Sequence, residues 1–377
     1  MGEARLRLRE AKRVVIKVGT STLTHEGSGK LNLARIEHLI RELSDLMNQG
    51  REVVLVSSGA IAAGLGQMGL AEKPGTIPEK QALAAIGQGV LMHIYEKIFA
   101  EYGKTMAQVL LTKENAMHHH QYLNSRNALL ALLAMGVIPV INENDVVAID
   151  EIKIGDNDNL SAIVATLVDA DALILLTDID GLYTGNPQTD KTASLIPEIA
   201  EITPEVERMA GGAGTKLGTG GMLTKLQAAK VAVNAGVDMV IAPGARKSVL
   251  RNILAGETIG TFFPAKESHL RVRKSWIAFG KRIHGDILVD EGCARAMLRN
   301  GSSLLAAGIV EIAGEFTKGN TVRVLASDHR EIARGIVNYD AASLRKIIGH
   351  QTAEFPELLA GEIHEEVIHR DNMVLMA

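Results

Sequence analysis

Residues 14–22 read VVIKVGTST. Val14, Val15, Ile16 and Val18 form a β-branched run without alternation of apolar and polar positions, the pattern of a strand covered on both faces, and Gly19 then breaks it. Such a strand belongs to a sheet with helices on either side. Lys17 is the exception within the run, because an ammonium group there is costly unless it reaches water, a partner or a cleft. Two readings stand at this point: an edge-strand lysine snorkelling to solvent, and a lysine facing a functional cleft.

The same texture recurs along the first two thirds of the chain. VVLVS (53–57), AQVLL (107–111), VIPVI (137–141), ALILL (172–176) and DMVIA (238–242) are short apolar runs, and helix-patterned segments lie between them. In LNLARIEHLIRELSDLMNQG, residues 31–50, the side chains Leu33, Ile36, Leu39, Ile40, Leu43 and Met47 mark one face, and Gly50 can end the helix. This alternation predicts an α/β three-layer sandwich around a mainly parallel central sheet. After FFPAKES the texture changes to short β runs separated by glycine turns, such as GDILVD and GIVEIAGEFTKGNTVRVLA. The expected division is residues 1–264 as the α/β domain, 265–274 as a linker, and 275–377 as a small, mostly β domain.

Composition narrows the function classes. With 377 residues the chain is long enough for two cores, and a formal charge of −4 argues against a protein built mainly to coat nucleic acid. Cys293 is the only cysteine, which excludes an intrachain disulfide and a Cys-based zinc site and fits a reducing, cytoplasmic setting. No apolar run approaches the roughly 18 residues of a membrane span. The basic start, MGEARLRLREAKR, contains Glu3 and Glu10 and lacks an apolar stretch, so it reads as a fraying or helical arm rather than a targeting signal.

With 37 glycines, decoys are expected. GLGQMG (64–69) matches a dinucleotide fingerprint but starts several residues after its strand has ended, where the pattern loses its meaning. YGKT (102–105) and GSGK (27–30) are not P-loops: Ile98 occupies the position of the first required glycine, and Lys30 is followed by Leu31. KVGTST (17–22), SSGA (57–60) and GTGGMLTK (218–225) are better placed, since each can aim backbone N–H groups at an anion. In the third, Lys225 sits near a helix N-terminus, where positive charge is unfavourable unless an anion compensates it. The loop before it reads either as a lid over a bound phosphate or as a surface loop.

Acidic and amide residues cluster twice. INENDVV (141–147) places Asn142, Glu143, Asn144 and Asp145 at the end of VIPVI, the sheet edge at which open α/β proteins bind ligands. GDNDNLSA (155–162) follows, after a stretch that alternates well enough for a hairpin arm. An amine pocket, a capped helix and the organiser of a phosphate site are all open readings. A calcium loop is not, because Ser161 and Leu167 stand where its glycine and glutamate should be. TDIDGLYTGNP (177–187) suits a nucleotide base or ribose. HHH (118–120) lacks a second ligand cluster and reads as a solvated face.

Taken together, KVGTS, VSSGAIAAG, VIPVINEND, IKIGDNDNLSA, LLTDIDGLYTGNP and GTGGMLTKLQAA resemble the amino acid kinase family, and the residues from GSSLLAAGIVEIAGEFTKGNTVRVL onward look like a PUA domain. The resemblance implies ATP-dependent phosphorylation of the γ-carboxylate of L-glutamate, with Mg²⁺, feedback inhibition by proline, a glutamyl phosphate reductase as pathway neighbour, and a homo-oligomer, dimer or tetramer. It further implies that Lys17 and Lys225 meet the transferring phosphoryl group and that Asp158 holds both lysines. Ser58, Asp145 and Asn157 would bind glutamate. Lys17, Thr177, Asp178, Thr219, Gly220, Gly221, Met222, Leu223, Thr224 and Lys225 would bind ATP, with no protein cage for the metal. KVGTS departs from the GGTS-type loop of aspartate-specific relatives, which favours glutamate. Two alternatives remain: a sister kinase acting on N-acetylglutamate or aspartate, and an RNA-binding protein using Arg271, Arg273, Lys274, Lys281 and Arg282 beside the PUA-like domain.

Overall fold

The computed structural model describes residues 3–25, 29–70, 72, 74–112, 119–147, 157–185, 187, 190–211, 221–265, 283–359 and 363–376. It divides into two compact units, Met1–Ser268 and His269–Ala377. Most of the expected linker, and the basic residues Arg271, Arg273, Lys274, Lys281 and Arg282, lie outside the described residues.

In the first unit the apolar runs become strands β1 (Arg13–Val18), β2 (Glu52–Ser57), β3 (Met106–Leu111), β4 (Ile138–Glu143), β5 (Ala172–Thr177) and β6 (Asp238–Pro243). A short seventh strand, β7 (Thr261–Phe263), closes one edge antiparallel to β6. The order is β3-β4-β2-β1-β5-β6-β7, and every pairing from β3 to β6 is parallel. β1 is therefore central. Lys17 lies opposite Val56 on one side and Leu175 on the other, which removes the edge-strand reading.

Helices cover both faces. Val14, Ile16 and Val18 pack with Ile36, Ile40 and Leu43 of α2 (Leu33–Asn48), whereas Val15 packs with residues of two helices on the opposite face. α2 starts where Asn32 accepts from the Arg35 N–H and stops at Gly50, whose φ of 85° lets the N–H groups of Gly50 and Arg51 reach the Met47 and Leu46 carbonyls. Leu33 departs from the expected face: as the first helical residue it is exposed, and Leu46 is buried instead. β2 leads through Gly59, at φ 96°, into α3 (Ala60–Met68), and α4 (Ile77–Glu101) opens with a capping box between Thr76 and Glu79.

The α3–α4 contact explains the decoy fingerprint. A Cβ on Gly64 would lie 2.1 Å from the Leu83 carbonyl oxygen, and one on Gly87 would lie 1.8 Å from that of Ala60. These glycines let two helix backbones touch, and no nucleotide turn is formed there. The basic N-terminus also differs from a fraying arm. Residues Glu3–Arg9 form a 3-10 helix, and the buried guanidinium of Arg5 donates to the carbonyls of Pro197, Glu257 and Ile259 at 2.6, 2.9 and 3.0 Å.

The second unit carries β8 (Ile283–Val289), β9 (Ile309–Gly314), β10 (Thr321–Leu325), β11 (Glu331–Ile336) and β12 (Met373–Leu375) in the order β12-β11-β10-β8-β9. Its core gathers Ile287, Val289, Val322, Val324, Ile332 and Phe355. Among the described residues no helix is long and apolar enough to cross a membrane.

Candidate active site

The site forms at the carboxyl ends of β1, β2, β4 and β5, where the strand order reverses around β1. Two helices complete the layer over it, α6 (Asn157–Leu167) and α8 (Met222–Asn234), preceded in the chain by α5 (His119–Ala134) and α7 (Pro204–Gly211) respectively. Because side chains alternate along β1, Lys17 shares the face of Val15, the face that α6 and α8 cover.

Lys17 Nζ lies 2.6 Å from Asp158 Oδ1, and Lys225 Nζ lies 3.0 Å from Asp158 Oδ2. Thr224 Oγ1 donates to Oδ2 as well, at 3.0 Å. Asp158 is 1% exposed, Lys225 5% and Lys17 8%, so the three charges sit in a medium that strengthens their coupling. Burial pushes the Asp158 carboxyl up, but the charges and hydrogen bonds of the two lysines outweigh it and hold the carboxyl down at about 2. One carboxylate against two ammonium groups leaves one positive charge in surplus at this end of β1.

Asp158 accounts for one half of the site; its neighbour Asn157 accounts for the other. Asn157 Nδ2 donates to the Ser57 carbonyl at 2.7 Å, to Asn142 Oδ1 at 2.9 Å and to Ser58 Oγ at 3.1 Å. Its own carbonyl oxygen accepts from no group among the described residues. Asn142 Oδ1 takes a second bond from the Glu143 N–H at 2.9 Å, and Asn142 Nδ2 donates to Gln88 Oε1 of α4 at 2.8 Å. Below this layer Ser57 Oγ shares a hydrogen bond with the buried phenol of Tyr95 at 2.8 Å.

Asp145 stands half-buried in the turn that follows β4. Thr177 ends β5, and its hydroxyl donates to Asp178 Oδ1 at 3.0 Å; Asp178 itself is exposed. Gly221 caps α8 with no side chain, so Met222, Leu223 and Thr224 present its first turn, and Leu223 is exposed. Thr219 and Gly220 lie outside the described residues, as do Asp156 and all but Val146 and Val147 of the expected hairpin arm at 146–154. Gln88 and Tyr95 escaped the motif reading because they sit deep in a long helix. The available signal was their place on the face of Ala84, Gly87 and Leu91, where α4 is otherwise apolar.

The amino acid kinase family model matches residues 12–243, and the PUA domain model matches residues 285–359. A glutamate 5-kinase of Moorella thermoacetica is 53% identical over 99% of this chain and 99% of its own. Those of Caldanaerobacter subterraneus subsp. tengcongensis and Carboxydothermus hydrogenoformans are 54% and 51% identical over 97% and 98% of this chain, and over 98% and 99% of their own. On these sequence matches, the chain belongs to the amino acid kinase family.

Proposed function

We propose that the protein transfers the γ-phosphoryl group of ATP to the γ-carboxylate of L-glutamate, forming an acyl phosphate and ADP. The observation that carries this reading is the buried Lys17–Asp158–Lys225 cluster with its surplus positive charge. A carboxylate acceptor is already ionised at neutral pH, so its oxygen attacks the γ-phosphorus while the bond to the β-phosphate oxygen breaks, and no proton has to move. What such a transfer needs is positive charge over the equatorial oxygens. Lys17 and Lys225 supply it, and Asp158, ionised and pinned between them, fixes where the two ammonium groups stand. Asp158 is thus a positioning residue and has no role as a base.

The first turn of α8 adds the N–H groups of Met222 and Leu223 at its positive end, which suits nucleotide phosphates, and Thr177 and Asp178 at the end of β5 suit the nucleoside. Ser58, Asp145 and Asn157 hold the amino-acid end of the acceptor. The carbonyl oxygen of Asn157, which accepts from no group among the described residues, and the Asp145 carboxylate both can accept hydrogen bonds, as an α-ammonium group requires. Both Asp158 oxygens are engaged by lysines. Mg²⁺ would be carried on the nucleotide oxygens, where it would supply further charge neutralisation. Inhibition by proline, the supply of a reductase with its acyl phosphate and self-assembly go with this activity.

The test is ATP-dependent trapping of the product with hydroxylamine across a panel of acceptors. Glutamyl hydroxamate is expected. Turnover of N-acetylglutamate or aspartate without free glutamate would overturn the assignment.

A further inference from the structure

Three amides form a chain away from the acceptor pocket: Gln88 Oε1 accepts from Asn142 Nδ2, and Asn142 Oδ1 accepts from Asn157 Nδ2. Backbone groups favour one orientation of Asn142 and of Asn157, and Gln88 adds a further contact that holds it. The Glu143 N–H requires an oxygen from Asn142, and the Ser57 carbonyl requires the nitrogen of Asn157. Asn142 is therefore left presenting its nitrogen to α4, and only an acceptor there satisfies it. Gln88 meets that need at a cost, since its own Nε2 is buried with no partner among the described residues. A residue kept in place despite an unmet donor is being used for its position.

We infer that Gln88 is a positioning residue of the acceptor site: through Asn142 it locks the Asn157 amide with its carbonyl oxygen toward the ligand, so the pocket offers an acceptor to a primary ammonium group. The inference rests on the proposed reading of the site as an amino-acid pocket. With Gln88 replaced by an apolar side chain, Asn142 Nδ2 loses its partner and Asn142 can rotate. Asn157 then loses one of three contacts that define its orientation.

The experiment uses the full chain and two substitutions, Gln88→Met and Gln88→Glu, with the unmodified enzyme as control. For Gln88→Met the KM for glutamate should rise about tenfold or more, the effect of one misplaced hydrogen-bond partner, while kcat, the KM for ATP and Tm stay close to the control. Gln88→Glu keeps an oxygen facing Asn142 and should hold the glutamate KM within about threefold of the control. An unchanged glutamate KM in Gln88→Met overturns the inference. So does an equal rise in both variants, which would put the Gln88 N–H on the ligand, and so does a fall in Tm shared by both, which would make the residue structural only. Failure of the unmodified enzyme to phosphorylate glutamate would instead sink the reading of the pocket.

Discussion

Asn157 and Asp158 are consecutive in the first turn of α6, yet their side chains serve opposite halves of the site. Asn157 reaches the ends of β2 and β4, while Asp158 reaches Lys17 on β1 and Lys225 on α8. Successive helical residues point about 100° apart, so one turn of helix can divide its chemistry between an acceptor pocket and a phosphoryl pocket. Any tilt of α6 would move both sets of contacts together and, under the proposed function, would couple acceptor binding to the placement of the two lysines.

The Asp158 carboxyl, held at about 2 in the folded chain against an ordinary 3.8, has a depressed pKa. Its contribution to stability is present above about pH 4 and is lost as pH falls through about 2. Urea unfolding of the native protein and of Asp158→Asn should therefore differ by about 2 kcal/mol near pH 6, and the gap should shrink steadily toward pH 2. A gap independent of pH would show that the carboxylate charge is not what holds the cluster.

Removing one lysine should damage chemistry more than folding, because Asp158 keeps its other partner. Lys17→Ala and Lys225→Ala are each expected to lower kcat about 100- to 1,000-fold with modest change in glutamate KM. Lys17→Arg should not rescue the loss, since a planar guanidinium cannot replace a compact ammonium beside Gly19. Steady-state rates with hydroxylamine trapping measure both effects. A Lys17→Ala enzyme with normal kcat would take Lys17 out of the transfer.

Asp145 should act on the acceptor alone. Asp145→Ala is expected to raise the glutamate KM by about tenfold or more while the KM for ATP holds, the signature of lost uniform binding. An unchanged glutamate KM would remove Asp145 from the pocket.

The central sheet was readable because doubly covered strands leave continuous apolar runs, and VVIKV, VVLVS and ALILL carry no competing pattern. β7 has no counterpart among the expected strands because three residues, Thr261–Phe263, give no period to recognise. Lys17, Asn157 and Asp158 stood out as polar residues in apolar surroundings. The Lys17–Asp158 contact depends on β1 being central, a matter of strand order that no local pattern encodes. Gln88 and Gly64 show the limit from two directions. The first looks like any helix glutamine until Asn142 is seen beside it, and the second mimics a nucleotide turn until Leu83 is seen against it.

The backbone contact between α3 and α4 makes the sharpest stability prediction. Gly87→Ala would drive a Cβ to within 1.8 Å of the Ala60 carbonyl oxygen and 2.3 Å of the Gly64 nitrogen, and neither backbone atom can turn aside as a flexible side chain would. The helices must separate, at a cost of roughly 3 kcal/mol. Because α3 begins directly after Ser58 and Gly59, that separation should also raise the glutamate KM. Gly89→Ala, two residues along the same helix, meets nothing within 4 Å and should stabilise the protein by roughly 0.5–1 kcal/mol through helix propensity. Thermal unfolding of the two variants side by side separates a steric cause from a general intolerance of α4 to substitution. Equal losses in both would refute the close-approach account, and a stable Gly87→Ala enzyme with normal glutamate KM would show that α3 and α4 can part without disturbing the pocket.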